Sequence, residues 1–364
     1  MNARRVVAAI AGLALLLLIG LAIHNAAHPD TAGLAARSTQ PLAVMGTECE
    51  LTAVASGPGR DRRMTRALEA AESALRQVEA RMSVYIRLSE LSRLNAARAG
   101  EVVNLSPMTM EVLKLSRDLH RQTDGAFDAT CLPLFALWGQ AGKAARLPTD
   151  AEFAAAKADS GWDKFELLAD GVRKKLDGAG IGLGGVAKGF AIDRALEAMR
   201  KAGCSGGLVN AGGDVRCFGP SPRGGTWRVA IRDPFDSDGG RFLGVLELTD
   251  LAVCTSGNYE RFTVIEGKRY SHIVDPRTGR PVDFAPSVTV VAPTAAVADG
   301  WATALSVLGE GGLKQIDPNS HVEALIVIGG PEDFRIARTP GLAGLLAGPL
   351  DAPATMPAPE AHGG

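Results

Sequence analysis

Residues Gly178–Asp193, GAGIGLGGVAKGFAID, run a glycine-dense loop straight into a helical pattern, and their reading decides the fold. Gly180, Gly182 and Gly185 satisfy GxGxxG, the spacing with which the first βα turn of a parallel sheet brings its backbone against a pyrophosphate. Such a turn opens a βαβ series, whereas this stretch lies mid-chain and is followed by strands of hairpin type. A dinucleotide-binding oxidoreductase is therefore placed last among the readings. The local physics survives: glycines ahead of a helix N-terminus expose backbone N–H groups to an anion, and Lys188 in the first turn adds positive charge. A phosphate or pyrophosphate site is favoured there over a plain tight turn.

Working outward, Met64, Leu68, Ala71, Leu75, Val78 and Met82 recur at steps of four and three and predict an amphipathic helix of about five turns. Ser106-Pro107 opens a second helix as N-cap and first helical residue, and Thr149-Asp150-Ala151-Glu152 is a capping box for a short third. A fourth runs from Val186 to Ala202 and stops at Gly203; a fifth runs from about Ala296 to Leu308 and stops at Gly309. Strand patterns lie in GLVNAGG, TWRVAIRD, FLGVLEL, SVTVVAP and ERFTVIEGKRYSHIVD, the last a hairpin turning at Glu266-Gly267. Helices and strands are interspersed without a βαβ repeat, so the expected class is α+β with a largely antiparallel sheet and packed helices.

Composition narrows the function. The 364 residues carry 39 Lys and Arg against 40 Asp and Glu, a net charge of −1, which excludes a polybasic nucleic-acid binder. Five separated cysteines without a CxxC pair exclude a disulfide scaffold or cysteine-rich zinc site, and six scattered histidines cannot build a histidine-rich metal centre. Arg4 and Arg5 precede an apolar run from Val6 to Ile23, an export signal or a membrane anchor that would place the rest of the chain across the membrane. From Pro340 the chain is dominated by Ala, Pro and Gly and reads as a disordered tail. The expected organisation is a leader and linker over 1–39, a body over 40–339 forming one large unit or two intimately packed subdomains, and a tail over 340–364.

Several constellations in the body have the chemistry of a site. Asp299 and Thr303 share a helix face at i and i+4 and offer hard oxygen donors suited to Mg²⁺, among small residues that allow close approach. His272, in RYSHIVDPRTG, is suited to act as a general base near neutral pH. Asn210-Ala211-Gly212-Gly213-Asp214 and Thr255-Ser256-Gly257-Asn258-Tyr259 read equally as turns or as ligand loops. Thr123–Thr130, TDGAFDAT, reads as a binding loop closed by Trp138-Gly139, or as a helix C-cap followed by a turn.

Taken in order, these segments resemble the ApbE family of FAD:protein FMN transferases. The matching stretches are MGT at Met45–Thr47, MSVYIRLSELSRLN at Met82–Asn95, TDGAFDAT, LWG at Leu137–Gly139, GLGGVAKGFAID, NAGGD, TSGNYER, RYSHIVDPRTGRPV and ADGWATAL. The resemblance implies an ApbE-like fold and Mg²⁺-dependent transfer of FMN from FAD to a threonine or serine hydroxyl of a target protein, releasing AMP. It implies that Met45 and Tyr85 contact the flavin nucleotide, Tyr85 by stacking, and that Ala126, Phe127, Asp128, Lys188 and Ile273 line the same pocket. It assigns the metal to Asp299, Thr303 and a main-chain carbonyl near Gly185, and the general base to His272. The implied acceptors are subunits of membrane redox complexes, met on the periplasmic side of a bacterial inner membrane. At one position the chain departs from the pattern: relatives commonly carry Asp where Gly182 stands, a side chain expected to contact FAD. Hydrolysis of FAD to FMN and AMP, and non-catalytic flavin binding by an exported protein, stay open beside the transferase.

Overall fold

The computed structural model describes residues 33–236, 240–257, 262–271, 273–282 and 286–350. Among these, nine strands form one sheet: β1 (Ala35–Ser38), β2 (Leu42–Val44), β3 (Thr47–Ala55), β4 (Gly206–Ala211), β5 (Asp214–Phe218), β6 (Ala252–Gly257), β7 (Ser287–Ala292), β8 (Glu323–Ile328) and β9 (Arg335–Arg338). Their order is β1-β3-β4-β5-β6-β7-β8-β9, with β2 also on β3, and every pairing is antiparallel. Seven helices accompany it: α1 (Arg60–Met82), α2 (Glu90–Ala96), α3 (Pro107–Gln122), α4 (Leu132–Ala144), α5 (Asp150–Ala158), α6 (Ala187–Lys201) and α7 (Ala295–Leu308).

The central strands are buried on both faces, which is why they read as continuous apolar runs rather than alternating ones. Along β8, Ala324 and Ile326 join the core beneath the helices, while Leu325 and Val327 join a second core on the opposite face. The first core takes Met64, Leu68, Ala71, Leu75 and Val78 of α1 together with apolar residues of α3, α6 and α7. The second is closed by a hairpin of Trp227–Arg232 with Phe242–Leu248 and by the segment after Thr339. Both cores share one sheet, so the body is a single unit.

Several local expectations stand. The α1 stripe buries Met64, Leu68, Ala71, Leu75, Val78 and Met82, the Thr149–Glu152 capping box is made in both directions, and Glu266 and Gly267 turn their hairpin with positive φ. Others are corrected. Thr255, Ser256 and Gly257 complete β6, paired with Ser287–Thr289, instead of forming a loop; Asn258 and Tyr259 lie outside the described residues. Trp138-Gly139 sits inside α4 and closes nothing. β1 precedes the expected start of the body at Gln40 and pairs with β3.

The boundary at Pro340 also moves. Pro340–Leu345 forms a 3₁₀ turn, Leu342 is fully buried, and Leu350 is buried in the same second core. Leucines spaced through the Ala/Pro/Gly-rich segment find an apolar sheet face to cover, which composition alone does not register. The apolar run Val6–Ile23 lies outside the described residues, and among those described no helix is long and apolar enough to cross a membrane. Leu342→Ala is expected to cost about 2–5 kcal/mol, read as a fall of several degrees in the thermal unfolding midpoint; an unchanged midpoint would restore the segment to a passive tail.

Candidate active site

Helices α6 and α7 meet backbone to backbone. A Cβ on Gly189 would overlap the Ala295 carbonyl, so glycine is what permits the approach. The Gly189 N–H donates to Asp299 Oδ2 at 3.1 Å. Its neighbour Lys188 extends to Asp214 at the start of β5, Nζ to Oδ2 2.6 Å, and the other Asp214 oxygen accepts from the Thr255 N–H at 2.9 Å. One turn further along α6, Asp193 accepts from the Ala295 and Ala296 N–H groups at 2.8 and 3.0 Å and from Arg216 at 2.7 Å.

The site is short of positive charge. Asp193, Asp214 and Asp299 are 4 %, 2 % and 6 % exposed, and Lys188 and Arg216 are the cations bonded to them or to their partners. Burial pushes the Asp299 carboxyl up to about 7; the Lys188 charge opposes this, while Asp214 and Asp193 add to it. Burial would lower the Lys188 ammonium, yet Asp214 and Asp299 hold it above its usual value. Three acids facing two bases make a place where a cation is favoured.

Geometry gives that cation a seat. Thr303 follows Asp299 by one turn of α7, and a Cβ on Gly185 would stand 2.8 Å from Thr303 Oγ1 and 3.3 Å from Phe127 Cε2. The glycine thus leaves a cradle at the hydroxyl that any side chain would fill. Among the described residues no group of three or more His, Cys, Asp or Glu is arranged to hold a metal. One carboxylate and one hydroxyl match instead a hard cation that completes its shell with water and ligand oxygens, so these residues fit Mg²⁺.

The predicted pocket residues of 123–130 are held against this cradle. Thr123 Oγ1 donates to Leu119 O and accepts from the Phe127 N–H, winding a tight turn that buries Ala126 and Phe127. Asp128 accepts from the Thr130 N–H and hydroxyl at 2.7 and 2.6 Å and faces His120 at 3.4 Å; burial nevertheless raises its carboxyl above the ordinary value. Gly182 N–H donates to Ala129 O at 2.8 Å, tying the glycine loop to this segment. Arg277 packs on the same turn, its Cγ 3.7 Å from where a Gly125 Cβ would be, and Ile273 is buried in the core that also contains Phe127.

Other predicted residues stand apart. Met45 packs at the edge of that core in a left-handed conformation, φ 59°, with its N–H on Glu79 at 2.8 Å. Tyr85 projects from the loop between α1 and α2 with 95 % of its surface exposed, available for stacking but in no contact with Lys188 or Asp299. His272 lies outside the described residues. The NAGGD stretch is a two-residue hairpin turn, Gly212 and Gly213 both at positive φ, as its plainer reading had it.

The ApbE family model matches residues 45–326. The chain belongs to the ApbE family. It is 34 % identical over 265 residues to the FAD:protein FMN transferase of Vibrio cholerae, covering 72 % of this chain and 79 % of that one, and 32 % identical to the Salmonella typhimurium protein of the same name, covering 71 % and 76 %. The solved flavin transferase ApbE from Vibrio cholerae superposes with a TM-score of 0.72 at 30 % identity, over 86 % of this chain and 99 % of that one. The Thermotoga maritima ApbE protein gives 0.74 at 30 % identity, over 85 % and 99 %.

In this family member, two buried acids escaped functional assignment in the sequence, Asp193 and Asp214. Their signal was present: an aspartate on the apolar face of α6, and one opening an apolar strand, both need charged partners to be buried. At Gly182 a Cβ would lie 3.3 Å from Leu132 Cδ1, so Leu132 of α4 fills the space beside this glycine. The turn packed on Gly125 is held by Asp275, which accepts from the Arg277 N–H and Nε at 2.9 Å each and from Nη2 at 3.0 Å. Burial alone would raise the Asp275 carboxyl, and the Arg277 hydrogen bonds and charge hold it below 3.8 instead. A depressed carboxylate adds stability above its unfolded pKa and loses it as pH falls through the folded one. Asp275→Asn should therefore cost about 1 kcal/mol at pH 7, and urea unfolding curves of the two proteins should converge below pH 3.8.

Proposed function

We propose that this chain transfers FMN from FAD to a threonine or serine hydroxyl of a target protein through a phosphoester bond, with Mg²⁺ and with release of AMP. The observation that carries the reading is the Gly185 cradle at Thr303, set one helical turn from Asp299, in a site where three buried acids outnumber the cations Lys188 and Arg216. Family membership supports the same activity, since the named relatives are FAD:protein FMN transferases.

In this reading Asp299, Thr303 and the Gly185 carbonyl hold Mg²⁺, which supplies Lewis-acid stabilisation of the diphosphate oxygens. Lys188 is fixed by Asp214 and keeps its proton, so it offers a permanent positive charge to the diphosphate. The turn carrying Ala126, Phe127 and Asp128 closes the nucleotide side together with Ile273, while Met45, apart from that turn, meets the flavin nucleotide and Tyr85 presents a face for the isoalloxazine ring. His272 takes the proton of the acceptor hydroxyl as its oxygen bonds to the FMN phosphorus; the bond to the bridging oxygen breaks and AMP leaves. The apolar run after Arg4 and Arg5 supports export to the periplasmic side of an inner membrane, anchored or cleaved, where acceptor subunits of membrane redox complexes would be met.

Incubation with FAD, MgCl₂ and an acceptor domain should give covalent flavin fluorescence on the acceptor and one AMP per label, and EDTA should abolish both. Free FMN without acceptor labelling would identify a hydrolase instead. Gly185→Ala places its methyl against Thr303 Oγ1 and should lower labelling by about 10–100-fold with the unfolding midpoint largely kept; full activity would remove the metal from Thr303.

A further inference from the structure

We propose that Asp193 is a positioning residue for the metal and nucleotide groups: a single buried carboxylate that locks the helix carrying Asp299 and Thr303 onto the helix carrying Lys188. The inference rests on the transferase reading above and concerns a residue that touches neither substrate nor metal.

An α-helix leaves its first four N–H groups without partners in the helix. In α7 those on Ala295, Ala296 and Val297 are satisfied, by two different means. Thr294 accepts from the Val297 N–H with its hydroxyl at 3.3 Å, as an ordinary local cap, and its carbonyl starts the regular helix ladder by accepting from the Ala298 N–H at 3.1 Å. The remaining two, on Ala295 and Ala296, donate to the two oxygens of Asp193, which belongs to α6. A cap supplied by a neighbouring helix does what a local one cannot. It makes satisfaction of α7 conditional on where α6 stands.

A second link lies one turn away along α6, where the Gly189 N–H donates to Asp299 Oδ2. Two bonded points on one helix face fix both the sliding and the rotation of α7 against α6. The third element is β5. Asp214 and Arg216 are two residues apart on that strand and so share a face; Asp214 holds Lys188, and Arg216 holds Asp193 through Nη1. Arg216 Nε is buried without a hydrogen-bond partner among the described residues, and Nη1 makes the bond to Asp193. Asp193 thereby joins three elements, each of which brings one group to the site.

The consequence is graded. Asp193→Asn keeps the shape but loses the charge and turns one acceptor into a donor facing an N–H, so α7 is expected to shift against α6 and misplace Asp299 and Thr303 relative to Gly185 and Lys188. Outer-shell changes of this kind cost about 10–100-fold in metal affinity. Thr294→Ala is the control for a purely structural effect, since it removes the local cap at the same helix terminus without touching the link to α6.

The test is calorimetric titration of MgCl₂ into the full chain saturated with FAD, without acceptor, alongside thermal unfolding and the Mg²⁺ concentration for half-maximal acceptor labelling. Asp193→Asn should weaken Mg²⁺ uptake and raise the half-maximal concentration by about 10–100-fold, with labelling recovering at saturating Mg²⁺. Thr294→Ala should lower the unfolding midpoint and leave Mg²⁺ uptake at the wild-type value. If Asp193→Asn yields no folded protein, Arg216→Met, which leaves both bonds to α7 but frees the carboxylate, is expected to weaken uptake several-fold. Mg²⁺ uptake unchanged in the folded variant, or weakened equally by Thr294→Ala, overturns the positioning role alone. No Mg²⁺ uptake by the wild-type chain overturns the metal reading, and this inference with it.

Discussion

Charges buried at the contact between α6 and α7 constrain the surrounding structure. Taking a carboxylate or an ammonium out of water costs several kcal/mol unless partners replace the lost solvent, and Lys188, Asp193, Asp214, Arg216 and Asp299 are held in one connected set of ion pairs and backbone bonds. Pairing of that quality needs close and exact backbones. Gly189 against Ala295 supplies the closeness, and the small residues Ala296, Ala298, Ala302 and Ala304 let α7 lie deep in the core. Two glycines of the 178–185 loop allow close approach in the same way. Gly182 docks on Ala129 through its N–H, and Gly185 leaves room for the Thr303 hydroxyl. A loop that looks like a dinucleotide fingerprint is shaped here by helix–helix contact.

Much of this architecture was legible where a pattern repeats or a cap is local. The α1 stripe, the Thr149–Glu152 box, the Gly203 and Gly309 helix ends and the Glu266-Gly267 turn each depend on residues within a few positions of one another. What was missed depends on distant partners. α2 is seven residues long and shows too few turns for a period, although Ser89 caps it on the Ser92 N–H. α4 carries Pro133, Gly139 and Gly142 and buries only Leu134 and Ala141, so it lacks an apolar stripe. Strand β6 ends in Thr-Ser-Gly, polar residues that pass for a loop until β7 pairs with them.

At the site the same division holds. Asp299 and Thr303 are one helical turn apart and their common face follows from spacing alone. Resemblance gave Gly185 to the metal and Phe127 and Lys188 to the flavin pocket, and the chain brings Gly185 against both Thr303 and Phe127. Asp193 and Asp214 became visible as functional groups only through partners 102 and 26 positions away in the sequence, since Asp193 bonds Ala295 and Asp214 bonds Lys188. Spacing rules do not reach that far.

The sheet separates two competing tasks. Residues alternate along β7 and β8, so Val288, Val290, Ala324 and Ile326 support the helices that carry the site, while Val291, Leu325 and Val327 meet the hairpin and the segment through Leu350 on the other side. The site face contains buried charge, whose desolvation detracts from stability. The other face contains Trp227, Leu246, Leu248 and Leu342 packed as a plain apolar layer. An apolar layer that touches no site residue can stabilise the sheet without constraining the chemistry. The charged contact between α6 and α7 can therefore be arranged for ligand geometry, because the opposite side of the same strands supplies the cohesion it lacks.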